Sequence, residues 1–466
     1  MGPANFLVPA VLALYVPATY VSIRTLGPGR GVMAALLGGW LFLPVFDGRV
    51  DVPLLHTKSE FVATSALLVT AVADLQRWRR LKGHWVDLVA ALVCIGPLCT
   101  ALANDLGVYE GVSASLQAVC TWIAPYLLGR LYFGTPRALR DFAIWMVGAA
   151  LVYVPLCLWE IRMSPQLHRY LYGYHAFEGF ADTVRFGGYR PNAFMHFGLM
   201  LGAFMATGTL IAFWLWRSRA QTKIASLPLG WCTFLLAGTT VLIKSTGSVI
   251  LLALGIAVLE LTRALRRPFL ILLLALAPSA FVTARIAGWD GGELVHAASG
   301  ITAERAQSIE FRIVNERMLM EKALSRPWLG WGRWGRSRVY DAEDGRDISV
   351  TDSLWVILLG TYGLVGLTSM ALLLLLPTLL FLQRFPARHW DHPAVSPGAA
   401  LTLGTLLWVV DCLFNAMTSP IFPAICGATI TFSAGHWSER RRTEPLDARR
   451  RLNPTGGNRR HVTLQS

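Results

Sequence analysis

Charge is scarce in this sequence. Only 15% of its 466 residues are Asp, Glu, Lys or Arg, against roughly a quarter in an ordinary soluble domain, while 54% are hydrophobic. Internal repeats are missing, and so is any Cys/His spacing of the kind that binds zinc. All seven cysteines (Cys94, Cys99, Cys120, Cys157, Cys232, Cys412 and Cys426) fall inside apolar runs. None is placed in a polar loop where a disulfide framework would be built. A soluble enzyme, a zinc domain and a disulfide scaffold are all excluded by these absences.

What is abundant is uninterrupted apolar sequence. The runs are 4–23, 32–46, 61–75, 85–103, 114–133, 141–161, 193–216, 228–243, 248–261, 268–285, 354–382, 401–415 and 419–437. They predict an all-α polytopic membrane protein with about 13 transmembrane helices, twelve to fourteen being the range, because roughly 20 apolar residues span a bilayer. Those near 32, 61 and 248 are the short ones. The first has neither a basic start nor a small-residue cleavage site, so it reads as a spanning helix rather than a signal peptide.

Basic residues fall in alternate connections: Arg24 and Arg30, the Arg77 to Lys82 cluster, Arg130 to Arg140, Arg217 to Lys223, Arg263 to Arg267, Arg384 and Arg388, and a tail with eight arginines. By the positive-inside rule these connections are cytoplasmic, which puts the N-terminus outside and the C-terminus in the cytoplasm. The formal charge of +14 is then a matter of topology and of attraction to anionic membrane lipids, and it calls for no nucleic acid. The chain reads as a single transmembrane domain, 1–438, followed by a basic flexible cytoplasmic tail, 439–466.

Two connections are long, 162–192 and 286–353, and both fall on the outer side by the charge argument. Connections of this size on a helical scaffold are usually functional. The larger contains "SIEFRIVNERMLMEKALSRP", in which Ile309, Ile313, Met320 and Leu324 form one helical stripe that should lie against the membrane or the bundle. Arg312 and Glu316 share that sector. They could pair with each other, four residues apart, or Arg312 could hold a substrate.

After this helix comes "RPWLGWGRWGRSRVYD". Gly330, Gly332 and Gly335 permit backbone conformations closed to other residues, and the tryptophans offer flat faces on which sugars or lipid head groups stack. The smaller loop ends "RFGGYRPNAFMHFG", where Pro191 suits the first turn of the following helix and would set Arg190 at its electropositive lip. On that helix Asn192 and His196 would share a face, with His196 either a general base or a packed core residue. Asp352 precedes the run 354–382 and could simply cap its helix, with Thr351 and Ser353 as competitors. Lys244 lies at a further outer turn. Asp411 is an acid within a span, which should face the bundle interior or a wet cavity.

Taken in order, these residues resemble the O-antigen ligase and polysaccharide polymerase superfamily of bacterial membrane glycosyltransferases. That family carries His, then Asn, Ser or Gln, nine residues, and Gly-x-x-Gly. Here Asp352-Ser353 is followed by nine residues and then Gly363-Leu-Val-Gly366. Asp stands where the ligases carry His, and polymerase and ligase both stay open. "RPWLGWGRWG" is similar to the family's Pro-x-x-Gly-x-Gly element, Arg312 and Arg190 match two of its arginines, and Lys244-Ser245-Thr246 resembles a Ser/Arg turn of some relatives. The resemblance spans about 185–370.

It implies a C-type membrane glycosyltransferase fold in the bacterial cytoplasmic membrane, needing no metal and no cofactor. The donor it implies is an undecaprenyl-diphosphate-linked glycan, the acceptor a glycan or lipid, and further partners are other polysaccharide assembly proteins. Asp352 would be the catalytic residue and Arg190 and Arg312 the diphosphate ligands, with His196, Ser353, Lys244, Gly330 and Gly332 as additional site residues. A transporter or flippase for a lipid-linked or anionic solute is the alternative, since arginine-lined cavities serve transport equally well.

Overall fold

The computed structural model describes residues 4–46, 50, 52, 55–177, 179–185, 187–300 and 303–435. The expected basic tail lies outside them. Each of the thirteen apolar runs carries a helix. Among the described residues eight helices are long and apolar enough to cross a membrane, as a multi-pass membrane protein requires. The run near 248 is one of these: its helix extends to Thr246–Leu265, beyond the purely apolar stretch at both ends. Helices of 14 to 16 residues carry the runs at 32, 61, 228, 401 and 419.

The outward faces of the helices are apolar. Leu68, Val72, Trp231, Phe234, Phe269 and Leu273 stand more than half exposed. A belt of this kind would aggregate in water, and lipid is the medium that covers it. The centre is held by helix Gly198–Arg217, the most enclosed of the eight. It packs against Pro136–Met163, Leu229–Leu242, Thr246–Leu265 and Ser396–Asp411. Trp40, Tyr153 and Phe204 meet edge to face in this core.

The two long connections meet at one end of the bundle. The larger forms a short helix, Gly292–Ser299, and a long one, Ala303–Leu324. Ile313 and Met320 of its expected apolar stripe are buried, Ile309 and Leu324 half-buried, and this helix packs on Leu354–Arg384.

Helix Leu354–Arg384 is broken at Gly363, whose φ of 65° and ψ of −163° no helical residue adopts. The break is filled by the Trp-rich turn. Leu364 N–H donates to the Pro327 carbonyl and Val365 N–H to Trp328, while Trp331 and Gly332 N–H donate back to Gly360 and Thr361. The turn thus satisfies the backbone groups that a break would otherwise orphan. The two stretches of sequence that carried the family resemblance are in contact with each other. Only glycine fits at the junction, because a Cβ on Gly363 would lie 2.4 Å from the Trp328 carbonyl carbon.

Gly363→Ala should therefore destabilise the protein by about 2 kcal/mol or more, since it combines a strained φ with a backbone clash. Gly148→Ala, in a helix with open space around the added methyl, should change stability by less than about 1 kcal/mol. Thermal unfolding of the two purified variants checks the contrast.

Candidate functional site

The smaller loop owes its path to two buried charges. Glu160, fully buried near the end of helix Pro136–Met163, accepts backbone N–H bonds from Leu167 at 2.9 Å, Asn192 at 2.8 Å and Ala193 at 2.6 Å. Lys58, 5% exposed, donates to the carbonyls of Leu43 and Phe194. A carboxylate and an ammonium taken out of water need such partners, and here the backbone supplies them.

The consequence corrects one expectation. Pro191 does not open a helix; the helix begins at Gly198. Glu160 and Lys58 bind the groups that a helix starting at Pro191 would use internally, and Ala193 is driven to a positive φ of 49°. Asn192 and His196 therefore do not share a helical face. Arg190 instead leaves a small hairpin in which Val184 pairs with Tyr189. Its N–H donates to Thr183 at 2.7 Å and its guanidinium reaches the Lys244 carbonyl at 3.4 Å. Lys244, in a left-handed turn, donates its ammonium to the Arg185 carbonyl at 3.2 Å. Lys244 thus braces the hairpin from behind.

The larger loop fixes Asp352. Asn315 Oδ1 accepts the Val350 N–H at 2.9 Å, and the next residue, Glu316, accepts the Ser353 hydroxyl. Two consecutive side chains of helix Ala303–Leu324 therefore grip the chain on either side of Asp352. Glu316 is held in turn by Arg285, at 3.6 Å, whose guanidinium also donates to the carbonyls of Trp289 and Ile313. Burial raises the Glu316 carboxyl above its ordinary range, and the Ser353 hydroxyl and Arg285 act against that rise. Of the two readings open for Arg312 and Glu316, mutual pairing is not the one seen. Glu316 belongs to Arg285 and Ser353, and Arg312 lies 3.7 Å from Asp352. Ser353, not Asp352, is the residue that begins the helix, and it makes no side-chain cap bond.

Arg190, Arg312 and Asp352, far apart in sequence, line one cavity of about 460 Å³. Its walls add Arg185, Asn192 and Asn415, with Phe177 and Phe311 as apolar surface. Three guanidinium groups and one carboxylate give the cavity a positive balance suited to an anion, with an acid at one side. The volume falls within the range of small-molecule sites.

The other expected residues stand apart from it. His196 stacks on Phe197 at 4.0 Å and meets the edge of Phe177 at 6.2 Å. Burial and the nearby Lys58 ammonium push its imidazole down to about 4, which leaves the ring neutral at pH 7 and packed among aromatics. Ser353 is fully buried beneath the cavity. Gly330 and Gly332 shape the turn against the broken helix, and Gly332 lines a second cavity. Asp411 accepts from the Asn415 amide at 2.9 Å and so lies directly behind a cavity residue. Glu160, Lys58, Arg285, Asn315 and Asn415 were not anticipated. The available signal was the oddity of Glu160 and Arg285 as charges inside apolar runs.

Among the described residues no group of three or more His, Cys, Asp or Glu is placed to hold a metal ion. No protein-family model and no curated protein matches this chain.

Glu160→Gln keeps the shape but replaces one acceptor oxygen with a donor facing backbone N–H groups. It should lower stability by about 1 to 3 kcal/mol and make the 187–197 segment more sensitive to limited proteolysis. Unchanged cleavage and an unchanged melting temperature would remove Glu160 as the loop's anchor.

Proposed function

We propose that this chain is a membrane glycosyltransferase that polymerises or ligates surface polysaccharide. Its donor would be a glycan linked to undecaprenyl diphosphate, met on the outer face of a bacterial cytoplasmic membrane. The observation that carries this reading is the meeting of Arg190, Arg312 and Asp352 in one cavity. The order of the motifs and the contact between the Pro-x-x-Gly-x-Gly turn and the Gly363 break support it. The asymmetry of basic loops supports a cavity on the outer face.

In this mechanism the acceptor hydroxyl oxygen forms a bond to the anomeric carbon as the bond from that carbon to the diphosphate oxygen breaks. The leaving diphosphate carries off the electron pair, and the hydroxyl proton passes to the Asp352 carboxylate. Arg190 and Arg312 offer forked N–H donors matched to phosphate oxygens. Charge placed in advance where the leaving group becomes negative is often the largest catalytic contribution. The 3.7 Å between Arg312 and Asp352 exceeds a charge-assisted hydrogen bond, so the guanidinium stands near the base without being locked to it. Asn315 and Glu316 hold residues 350 and 353, so the Asp352 side chain is presented from a fixed backbone.

Asp352→Asn should be expressed and folded normally yet lose activity by about a hundredfold or more, the scale of a positioned general base. The assay is glycan extension by purified protein given lipid-linked oligosaccharide. Product at the wild-type rate would remove Asp352 from the chemistry, and solute counterflow without glycan extension would favour a transporter. Arg190→Lys keeps the charge and loses the fork, so kcat/KM for the diphosphate donor should fall roughly tenfold or more. Unaltered donor kinetics would count against Arg190 as a diphosphate ligand.

A further inference from the structure

A second cavity, of about 450 Å³, opens beside the first and shares Thr351 with it; Met417 lines one and the adjacent Thr418 the other. It serves no step in the mechanism above. Its mouth is formed by Trp334 on the Gly-rich turn.

Trp334 is an unusual residue. It is 66% exposed and its φ is 62°, a left-handed conformation rare for a bulky side chain and most often seen where geometry serves a site. The surroundings hold it there. Its indole N–H donates to Glu110 at 3.0 Å, and the same carboxylate accepts from Arg333 at 3.1 Å. Arg333 also donates to Gln117 and Ser113, and its guanidinium lies 5.1 Å from the Trp334 ring centre. His56 approaches the ring at 6.1 Å. An aromatic plate with its polar edge committed and its position fixed by three side chains is prepared to stack.

The rest of the cavity is mixed: Leu92, Val93, Trp122, Leu358 and Met370 give it apolar surface, and polar groups stand among them. Gln117 gives its amide oxygen to Arg333 and keeps its N–H donors. His56, Thr121, Ser337, Thr351 and Thr418 contribute further polar groups. A tryptophan that merely anchors the chain at a lipid interface projects from an apolar surface; this one stands on a turn beside Arg333, Ser337 and Arg338, which line the same cavity.

We infer that this second cavity is a carbohydrate subsite, in which a sugar ring stacks on Trp334 and the apolar lining while its hydroxyls bond polar groups such as Gln117, Ser337 and Thr351. That the bound glycan is the acceptor or growing chain rests on the proposed transfer. Its end would then lie beside Thr351 and next to Asp352.

The test uses full-length protein in lipid nanodiscs. The probe is a set of oligosaccharides released by mild acid from the surface polysaccharide of the cells that carry this chain. Saturation-transfer NMR should show binding to wild type, roughly tenfold weaker binding to Trp334→Ala, and near wild-type binding to Trp334→Tyr, as expected when one stacked ring is lost or kept. Should Trp334→Ala not be recovered folded, Trp334→Leu keeps bulk without a flat face and should show the same loss. No wild-type binding, or binding indifferent to position 334, overturns the subsite and leaves Trp334 an interfacial anchor only. Binding that depends on Trp334 without glycan transfer would keep the subsite and remove the proposed enzyme. Transfer with binding indifferent to Trp334 would do the reverse.

Discussion

A carboxylate removed from water must find donors, and Glu160 finds them in the backbone of a loop rather than in another side chain. That choice sets the course of 190–197, delays the following helix to Gly198, and leaves Arg190 on a hairpin facing the cavity. Lys58 does the complementary work on carbonyl groups. On the other side of the cavity Arg285 and Glu316 hold the chain around Asp352 by the same logic. Buried charge is usually a cost. In this molecule it is used where irregular backbone needs a fixed shape and no regular helix is available to supply it.

Of the three cavity residues Arg190 is itself buried, at 8% exposure, while the other two are more open than their supports. Asp352 and Arg312 retain 38% and 25% side-chain exposure, against 4% for Glu316 and 1% for Arg285. An open pair thus rests on an enclosed one, whose charges are each constrained by several partners.

Much of this could be read from the sequence. Every one of the thirteen apolar runs carries a helix, eight of those described being long and apolar enough to cross a membrane, because hydropathy over a long window is a strong signal. The placement of Arg190, Arg312 and Asp352 in one cavity was expected from motif order and common sidedness together with the family resemblance. What escaped was local. Pro191 is a sound helix-start signal in isolation, and it failed because Glu160, some thirty residues earlier in the chain, competes for the same N–H groups. A pair at a spacing of four was one of two readings open for Arg312 and Glu316; Arg285 and Asp352 arrive from other elements and each takes one partner. Both cases are decided by tertiary contacts that no local pattern encodes.

The break at Gly363 also bears on depth. Residues 364–384 below it rise about 31 Å as helix, close to the roughly 30 Å of a hydrocarbon layer. That lower stretch is long enough to cross by itself. The upper stretch Leu354–Tyr362, tied through the Gly360 and Thr361 carbonyls to the Trp-rich turn, can then take its direction from that turn rather than from the rod below it.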